Sequence, residues 1–196
     1  MGKKRLAIFA SGNGSNAINL IKHFDEHPII ETAFVLTNNA KAGIIDKAER
    51  SGVKIIVLSN TDVSSSTVLD SICKEENVSW IVLAGYLRLV PSNFIDRFEN
   101  KIINLHPALL PKFGGKGMFG QNVHRAVVES GERESGITIH FVNKEFDKGQ
   151  IIAQFRCYVS QDDTAEDIDK KIRVLEQSYL PVVVENTILK LSLIHI

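Results

Sequence analysis

The sequence predicts an α/β fold: a single-domain, Rossmann-like open twisted sheet that is mostly parallel, with helices on both faces. Short runs rich in β-branched residues alternate with longer runs whose apolar residues recur at helical spacing, a pattern typical of crossover units. The chain has 196 residues, of which 44% are hydrophobic, and this is enough for one sizeable core. We therefore expect one domain over residues 1–190. The apolar end, residues 191–196, is interpreted as a C-terminal tail of artefactual origin.

The sequence contains a separate segment for each predicted strand and helix. Strands are predicted over residues 6–10, 31–37, 54–58, 80–84, 102–105, 136–142 and 151–159. Helices are predicted over residues 15–23, 42–51, 65–77, 91–98, 123–130 and 164–187. Ser51-Gly52 and Ser130-Gly131 are typical helix ends, and Thr164-x-x-Asp167 is typical of a capped helix start.

Composition excludes several classes of protein. Lys+Arg and Asp+Glu both number 23, so no net charge favours nucleic acid or an anionic membrane as a partner. Cys73 and Cys157 lie outside any metal-ligand spacing, which indicates buried thiols in a reducing compartment and no metal site. The apolar run at residues 6–10 is too short for a signal-peptide core, and no segment reaches bilayer length. We expect a cytoplasmic protein, a monomer or homodimer, that acts on small molecules.

Asn104 and His106 follow an apolar run at the predicted end of a buried strand. Two positions apart on an extended backbone, their side chains lie on the same side of the strand. Pro107 biases His106 away from helical angles, so the chain should leave the sheet there. An amide donor beside an imidazole suits the transfer of an acyl or formyl group to an amine. The tetrahedral intermediate of that reaction needs a donor for its oxygen and a group that titrates near neutrality.

Asp147 is the predicted partner of the imidazole. It opens the turn Asp147-Lys148-Gly149 between two strand-like runs, and a carboxylate there would raise the pKa of His106 and hold its ring. The predicted triad is Asn104, His106 and Asp147. An alternative stays open: Asn-x-His at a strand end and Asp before Gly are also ordinary turn chemistry.

A glycine-containing turn follows the first predicted strand, in Ser11-Gly12-Asn13-Gly14-Ser15-Asn16. Glycines allow close approach of a ligand, and the free amides of the following helix start favour a phosphate. The spacing matches neither the dinucleotide fingerprint nor a Walker A loop. The alternative interpretation is that Ser15 and Asn16 only cap the helix.

Two further segments have both a binding and a packing interpretation. The first segment follows Gly85 after a predicted strand and contains the apolar residues Leu87, Leu89 and Val90. These residues suit a pocket wall for a flat heteroaromatic ring, and they equally suit ordinary packing between a helix and the sheet. Glu176 on the last predicted helix is suited to ribose hydroxyls, or to a surface pair with Arg173 one turn away.

Four segments together resemble the folate-dependent formyltransferases of purine synthesis, the phosphoribosylglycinamide formyltransferases. They are residues 11–16, 83–88, 104–111 and the motif His140-Phe141-Val142-x4-Asp147-x-Gly149. The resemblance runs from the first strand to about Pro181. It implies direct attack of the amine of 5'-phosphoribosylglycinamide on the formyl group of 10-formyltetrahydrofolate, in de novo purine (IMP) biosynthesis, with no metal.

The resemblance also implies roles for individual residues. Asn104 and His106 would stabilise the tetrahedral intermediate, and Asp147 would assist proton transfer. The ribonucleotide would be bound by Gly12, Asn13, Gly14, Ser15, Asn16 and Glu176. The formylfolate would be bound by Leu87, Arg88, Leu89, Val90, Asn104, Asn143, Lys144, Glu145, Phe146 and Asp147.

The chain departs from the family pattern in two places. A basic residue that some members use for the folate tail falls on the serine run at residues 64–66, and the glycine-rich stretch at residues 114–120 is longer than in many members. We interpret that stretch as a flap over the site or as a surface loop.

Three rival functions remain. A formyltetrahydrofolate hydrolase would use water as the nucleophile, and a methionyl-tRNA formyltransferase would need a basic RNA-binding module. A phosphate-binding carrier without catalysis is disfavoured by the presence of all three triad residues.

Overall fold

The computed structural model describes residues 2–193. In this part of the chain the strands are β1 (Lys4–Phe9), β2 (Ile30–Thr37), β3 (Ile55–Val57), β4 (Trp80–Leu83), β5 (Ile102–His106), β6 (Glu134–Phe141) and β7 (Ile151–Tyr158). The helices are α1 (Ser15–Phe24), α2 (Ile44–Arg50), α3 (Ser66–Glu75), α4 (Ser92–Arg97), α5 (Gln121–Glu129) and α6 (Ala165–Leu193), with a short 3-10 helix at Asp62–Ser64. The strand order is β3-β2-β1-β4-β5-β6-β7. The chain divides between Ile103 and Asn104 into two compact units.

The N-terminal unit is built on parallel strands. β1 pairs with β2 on one side and with β4 on the other, and β2 pairs with β3. The five apolar residues 6–10, four of which belong to β1, are fully buried, as is typical of a central strand in a parallel sheet. On α1 the buried apolar residues Ala17, Leu20, Ile21 and Phe24 follow the spacing of one helix face. Parallel pairing therefore places the turns after β1 and β4 at the same edge of the sheet.

The C-terminal unit contains an antiparallel pair and the longest helix. β6 and β7 pair with Thr138 opposite Gln154, and the register shifts between Ile139 and His140. α6 begins as predicted: the hydroxyl of Thr164 accepts from the Asp167 N–H, and the Asp167 carboxylate accepts from the Thr164 N–H. These reciprocal bonds form a capping box, which satisfies backbone donors at the helix start.

The predicted α/β class with a mostly parallel sheet is confirmed, as is each of the predicted strands and helices within a few residues at its ends. Three details differ. β5 includes His106, one residue beyond its predicted end, and the 3-10 helix was not predicted. α6 continues to Leu193, so residues 191–193 of the predicted tail are helical, while 194–196 lie outside the described residues. The domain boundaries at 1–190 stay a prediction.

Candidate active site

Asn104 and His106 project from the end of β5, where the sequence placed them. His106 is buried, with 4% of its surface exposed, whereas Asn104 is partly exposed. Their positions two residues apart on a strand put both side chains on one face. The predicted pairing of an amide donor with an imidazole is thus present at this strand end.

Asp147 reaches both of these residues from the loop after β6. Its Oδ2 lies 3.6 Å from His106 Nδ1 and accepts the Gly115 N–H at 2.8 Å, and its Oδ1 lies 3.5 Å from Asn104 Nδ2. The carboxylate is 13% exposed, so it faces the cluster and not bulk solvent. The backbone at Asp147 has φ of 54°, a left-handed conformation that Asp tolerates better than most residues. The structure therefore brings together the three residues of the predicted triad.

His140 is a fourth member of this cluster to which the sequence analysis assigned no role. Its Nδ1 lies 2.8 Å from the Phe141 carbonyl oxygen, and its Nε2 lies 3.0 Å from Asn104 Nδ2. Because a carbonyl only accepts, Nδ1 carries the hydrogen, which leaves Nε2 of the neutral ring to accept from the Asn104 amide. His140 thus fixes which way the Asn104 carboxamide points. The only signal in the sequence was its place in the motif that ends at Asp147.

The same logic assigns the hydrogen on His106. Its Nε2 lies 2.8 Å from the Phe113 carbonyl oxygen, so Nε2 donates and Nδ1 presents its lone pair toward Asp147. Burial lowers the pKa of His106 below its ordinary value, and the charge of Asp147 opposes that shift. A proton arriving at Nδ1 would therefore be stabilised by a carboxylate already in place.

Asp147 remains a charged partner under ordinary conditions. Burial alone would raise the pKa of its carboxyl. The His140 side chain, the Gly115 N–H and His106 outweigh this effect, and the pKa lies below its usual value. The ionised form is consequently the resting state near neutrality.

Acid should weaken the folded protein through the buried His106 and His124, and His124 on α5 is the clearer test. Burial lowers the pKa of His124, although Asp169, whose Oδ1 lies 3.4 Å from Nε2, opposes the shift. A histidine whose pKa is depressed by folding takes up its proton more readily when unfolded, so stability falls as pH drops below about 6.5. We expect Tm to fall between about pH 7.5 and about pH 5.5, and to fall less in His124→Gln. An unchanged pH dependence in that variant would contradict this assignment.

In the N-terminal unit, the predicted phosphate loop leads into α1. Gly14 precedes the helix with φ of 72°, and a Cβ there would lie within 2.7 Å of Ile44 side-chain atoms, so this position requires glycine. The hydroxyl of Ser11 donates to Asn38 and accepts the N–H of Leu87, which ties the loop to the turn after β4. Gly14, which has no side chain, occupies the N-cap position of α1, so neither Ser15 nor Asn16 stands at the capping position.

Lys47 on α2 is a cation that the sequence analysis did not connect to this loop. Its Nζ donates to the backbone oxygen of Asn13 at 2.8 Å and lies 3.4 Å from the Asn13 side-chain oxygen. A positive charge beside glycine-rich backbone and a helix start adds to the attraction for an anion. Nothing in the spacing from Asn13 to Lys47 could have shown this contact.

The residues predicted to line a folate pocket differ in exposure. Leu87 and Leu89 are 54% and 57% exposed, whereas Val90 is 4% exposed and packs in the core. Arg88 and the loop residues Asn143, Lys144, Glu145 and Phe146 are exposed. The loop is ordered by its own bonds, since the Asn143 side chain accepts from the Glu145 N–H and donates to the Lys148 carbonyl. Glu176 lies partly exposed on α6.

The serine run at residues 64–66 has a structural role. Ser65 caps α3, and its hydroxyl accepts the N–H of Val68 at 3.4 Å. Within residues 2–193, no helix is long and apolar enough to cross a membrane, and no group of three or more His, Cys, Asp and Glu side chains is arranged to hold a metal ion.

Comparison with known proteins assigns the class. The formyl transferase family model matches residues 4–184, and the chain belongs to this family. It is 39% identical, over 87% of its length, to the chloroplastic phosphoribosylglycinamide formyltransferase of Arabidopsis thaliana. It is also 39% identical, over 92% of its length, to the protein of the same name from Vigna unguiculata. The chain spans about 60% of the length of each of these two plant relatives.

Solved structures agree with the fold. The crystal structure of phosphoribosylglycinamide formyltransferase from Anaplasma phagocytophilum superimposes with a TM-score of 0.85 at 31% sequence identity. The match covers 93% of this chain and 86% of that one. The predicted resemblance is thereby confirmed at the level of the formyl transferase family.

Proposed function

We propose that this chain transfers a formyl group from 10-formyltetrahydrofolate to the amine of 5'-phosphoribosylglycinamide. The observation that supports this most directly is the cluster of Asn104, His106 and Asp147 in a chain of the formyl transferase family. The names of the plant and bacterial relatives support the same substrate. A cytoplasmic location and a place in purine synthesis are part of the proposal.

The chemistry needs a donor, a proton carrier and a fixed charge. The amine nitrogen attacks the formyl carbon, a nitrogen–carbon bond forms, and the carbonyl oxygen becomes negative. Asn104, oriented by His140, donates to that oxygen without carrying a charge that must be desolvated. His106 stabilises the same intermediate as it gains a proton, and Asp147 holds the resulting imidazolium and assists proton transfer. Collapse of the intermediate breaks the bond to the folate nitrogen, which leaves with a proton.

The remaining assignments concern binding. We propose that the turn at residues 11–16, with Lys47 beside it, holds the substrate phosphate, and that Glu176 accepts from the ribose hydroxyls. The exposed Leu87 and Leu89, with Arg88, Val90 and the loop at residues 143–147, would hold the folate. Apart from Glu176 on α6, the proposed binding residues lie on segments that follow strands, where α/β proteins place their ligands.

A turnover assay tests the proposal. The purified protein is incubated with 10-formyltetrahydrofolate alone, with added 5'-phosphoribosylglycinamide, or with added aminoacylated initiator tRNA, and tetrahydrofolate release is followed. Turnover that requires the ribonucleotide is the expected result. Release in water alone would indicate a hydrolase, and turnover only with aminoacylated initiator tRNA would indicate a tRNA formyltransferase. If no tetrahydrofolate is released under any of these conditions, the proposal is wrong and a carrier without catalysis is the interpretation that remains.

Ser15→Asp should weaken ribonucleotide binding by about tenfold or more, because it places a negative charge beside the proposed phosphate site. The substitution should not harm the fold, since Ser15 is exposed and an acidic residue is favourable in the first turn of a helix. Calorimetry measures the affinity of the variant for the ribonucleotide and for the folate. Ser15→Asn is the control, because Asn has the shape of Asp without its charge. Equal losses for ribonucleotide and folate would contradict the phosphate assignment.

A further inference from the structure

A buried polar network outside the catalytic cluster holds the segment that follows His106. Thr138 on β6 is fully buried, and its hydroxyl donates to the Ala108 carbonyl at 2.6 Å and accepts the Leu110 N–H at 3.0 Å. Gln154, directly opposite on β7, donates from Nε2 to the Thr138 hydroxyl at 2.9 Å and to the Leu110 carbonyl at 3.0 Å. One side chain amide thus uses both of its hydrogens to attach this segment to the β6–β7 pair.

The segment held in this way supplies the groups that orient the catalytic pair. The Phe113 carbonyl accepts from His106 Nε2, and the Gly115 N–H donates to Asp147 Oδ2. Between them, Gly114 lies in a tight gap. A Cβ at this position would be 2.5 Å from the Leu110 side chain and 3.3 Å from Asp147 Cβ. A displacement of Leu110 would therefore reach Gly114, and with it the partners of both His106 and Asp147.

We propose that Gln154 is a positioning residue for the His106–Asp147 pair, acting through Leu110. Among the described contacts, the two bonds of its amide nitrogen go to the network and none goes to a catalytic side chain. A carboxamide that is partly removed from water needs bonded hydrogens, and those of the partly buried Gln154 are bonded to the Leu110 carbonyl and to the Thr138 hydroxyl. Thr138 in turn bonds the backbone of Ala108 and Leu110, in the segment that leads to the orienting groups. The residue acts on catalysis by fixing the path of residues 107–115.

The alternative is that Gln154 only stabilises the strand pair, and the two roles predict different measurements. Gln154→Met keeps the length of the side chain and removes both donors. Arg156→Met is the matched control, because Arg156 lies on the same side of β7 and pairs with Glu134 at the surface. A purely structural role would lower Tm and leave the state of His106 unchanged.

The experiment combines kinetics with nitrogen NMR of the imidazoles. The kinetic part rests on the proposed function. We expect Gln154→Met to lower kcat by about tenfold or more, with little change in either KM, since small misplacements of catalytic groups are costly. We also expect His106 to lose its single Nε2–H tautomer and to titrate closer to its ordinary value, with Arg156→Met like wild type in both measurements.

The NMR signals do not depend on turnover, so the inference can fail independently of the proposed function. Wild-type kcat together with a wild-type His106 tautomer and titration in Gln154→Met would overturn it. If Gln154→Met does not fold, Gln154→Glu, which has the same shape but no donors when ionised, is judged by the same two measurements. Absence of formyl transfer in the wild-type protein would refute the proposed function and leave the NMR comparison to decide the role of Gln154.

Discussion

Asp147→Asn is expected to lower kcat by at least about a hundredfold while the protein stays folded. The substituted side chain has the same shape, tolerates the left-handed backbone at this position and can still accept the Gly115 N–H. What it loses is the negative charge that faces His106 Nδ1 at 3.6 Å. Without that charge the imidazolium formed during transfer has no anion facing Nδ1, and the barrier rises.

The measurement pairs kcat at saturating concentrations of both substrates with the titration of His106. Because the charge of Asp147 is the largest influence raising the pKa of His106, its removal should lower that pKa further. Asp162→Asn, which removes an exposed acidic group from the same unit, serves as the control for net charge. Near-wild-type turnover in Asp147→Asn would remove this residue from the mechanism.

The sequence was sufficient for the part of the site that depends on local pattern. Two-residue periodicity placed Asn104 and His106 on one face of β5, and Pro107 indicated where that strand ends. The turn at Asp147-Lys148-Gly149 between two strand-like runs placed the acid at the junction of β6 and β7, whereas their antiparallel pairing was not predicted. Each of these inferences needs only the order of residues and the geometry of strands.

The parts that were missed depend on tertiary packing and on hydrogen placement. His140 orients Asn104 because its Nδ1 donates to the Phe141 carbonyl, which leaves Nε2 to accept from the Asn104 amide. No pattern in the sequence predicts that hydrogen bond. Lys47 meets Asn13 only because α2 packs near the first turn, 34 residues away along the chain. Gln154 lies opposite Thr138 in a strand pair whose register shifts between Ile139 and His140. A pairing predicted with an error of one residue would place Gln154 opposite a different side chain.

Gly149→Ala should destabilise the protein by about 3 kcal/mol or more, the largest stability effect that we expect of a single methyl group. A Cβ at residue 149 would overlap the carbonyl oxygen of Phe141 and approach the backbone nitrogen of Asn143 to 3.4 Å. These are backbone atoms at the end of β6, and the Phe141 N–H is bonded to the Gln150 carbonyl at 2.9 Å. They can move only if that pairing is broken, so rotation of a flexible side chain cannot relieve the overlap.

The same substitution should impair the site, because the Phe141 carbonyl also accepts from His140 Nδ1 and so fixes the ring that orients Asn104. Urea unfolding measures the loss of stability, with Gly52→Ala as the control. Gly52 has φ of 69° but no atom within 4 Å of an added Cβ, so its replacement should cost only about 1 kcal/mol of backbone strain. If both variants lost similar stability, the overlap with the Phe141 carbonyl would not explain the loss in Gly149→Ala. A larger loss at Gly149, with kcat reduced among the molecules that remain folded, would connect the tight turn after Asp147 to the orientation of the Asn104 amide.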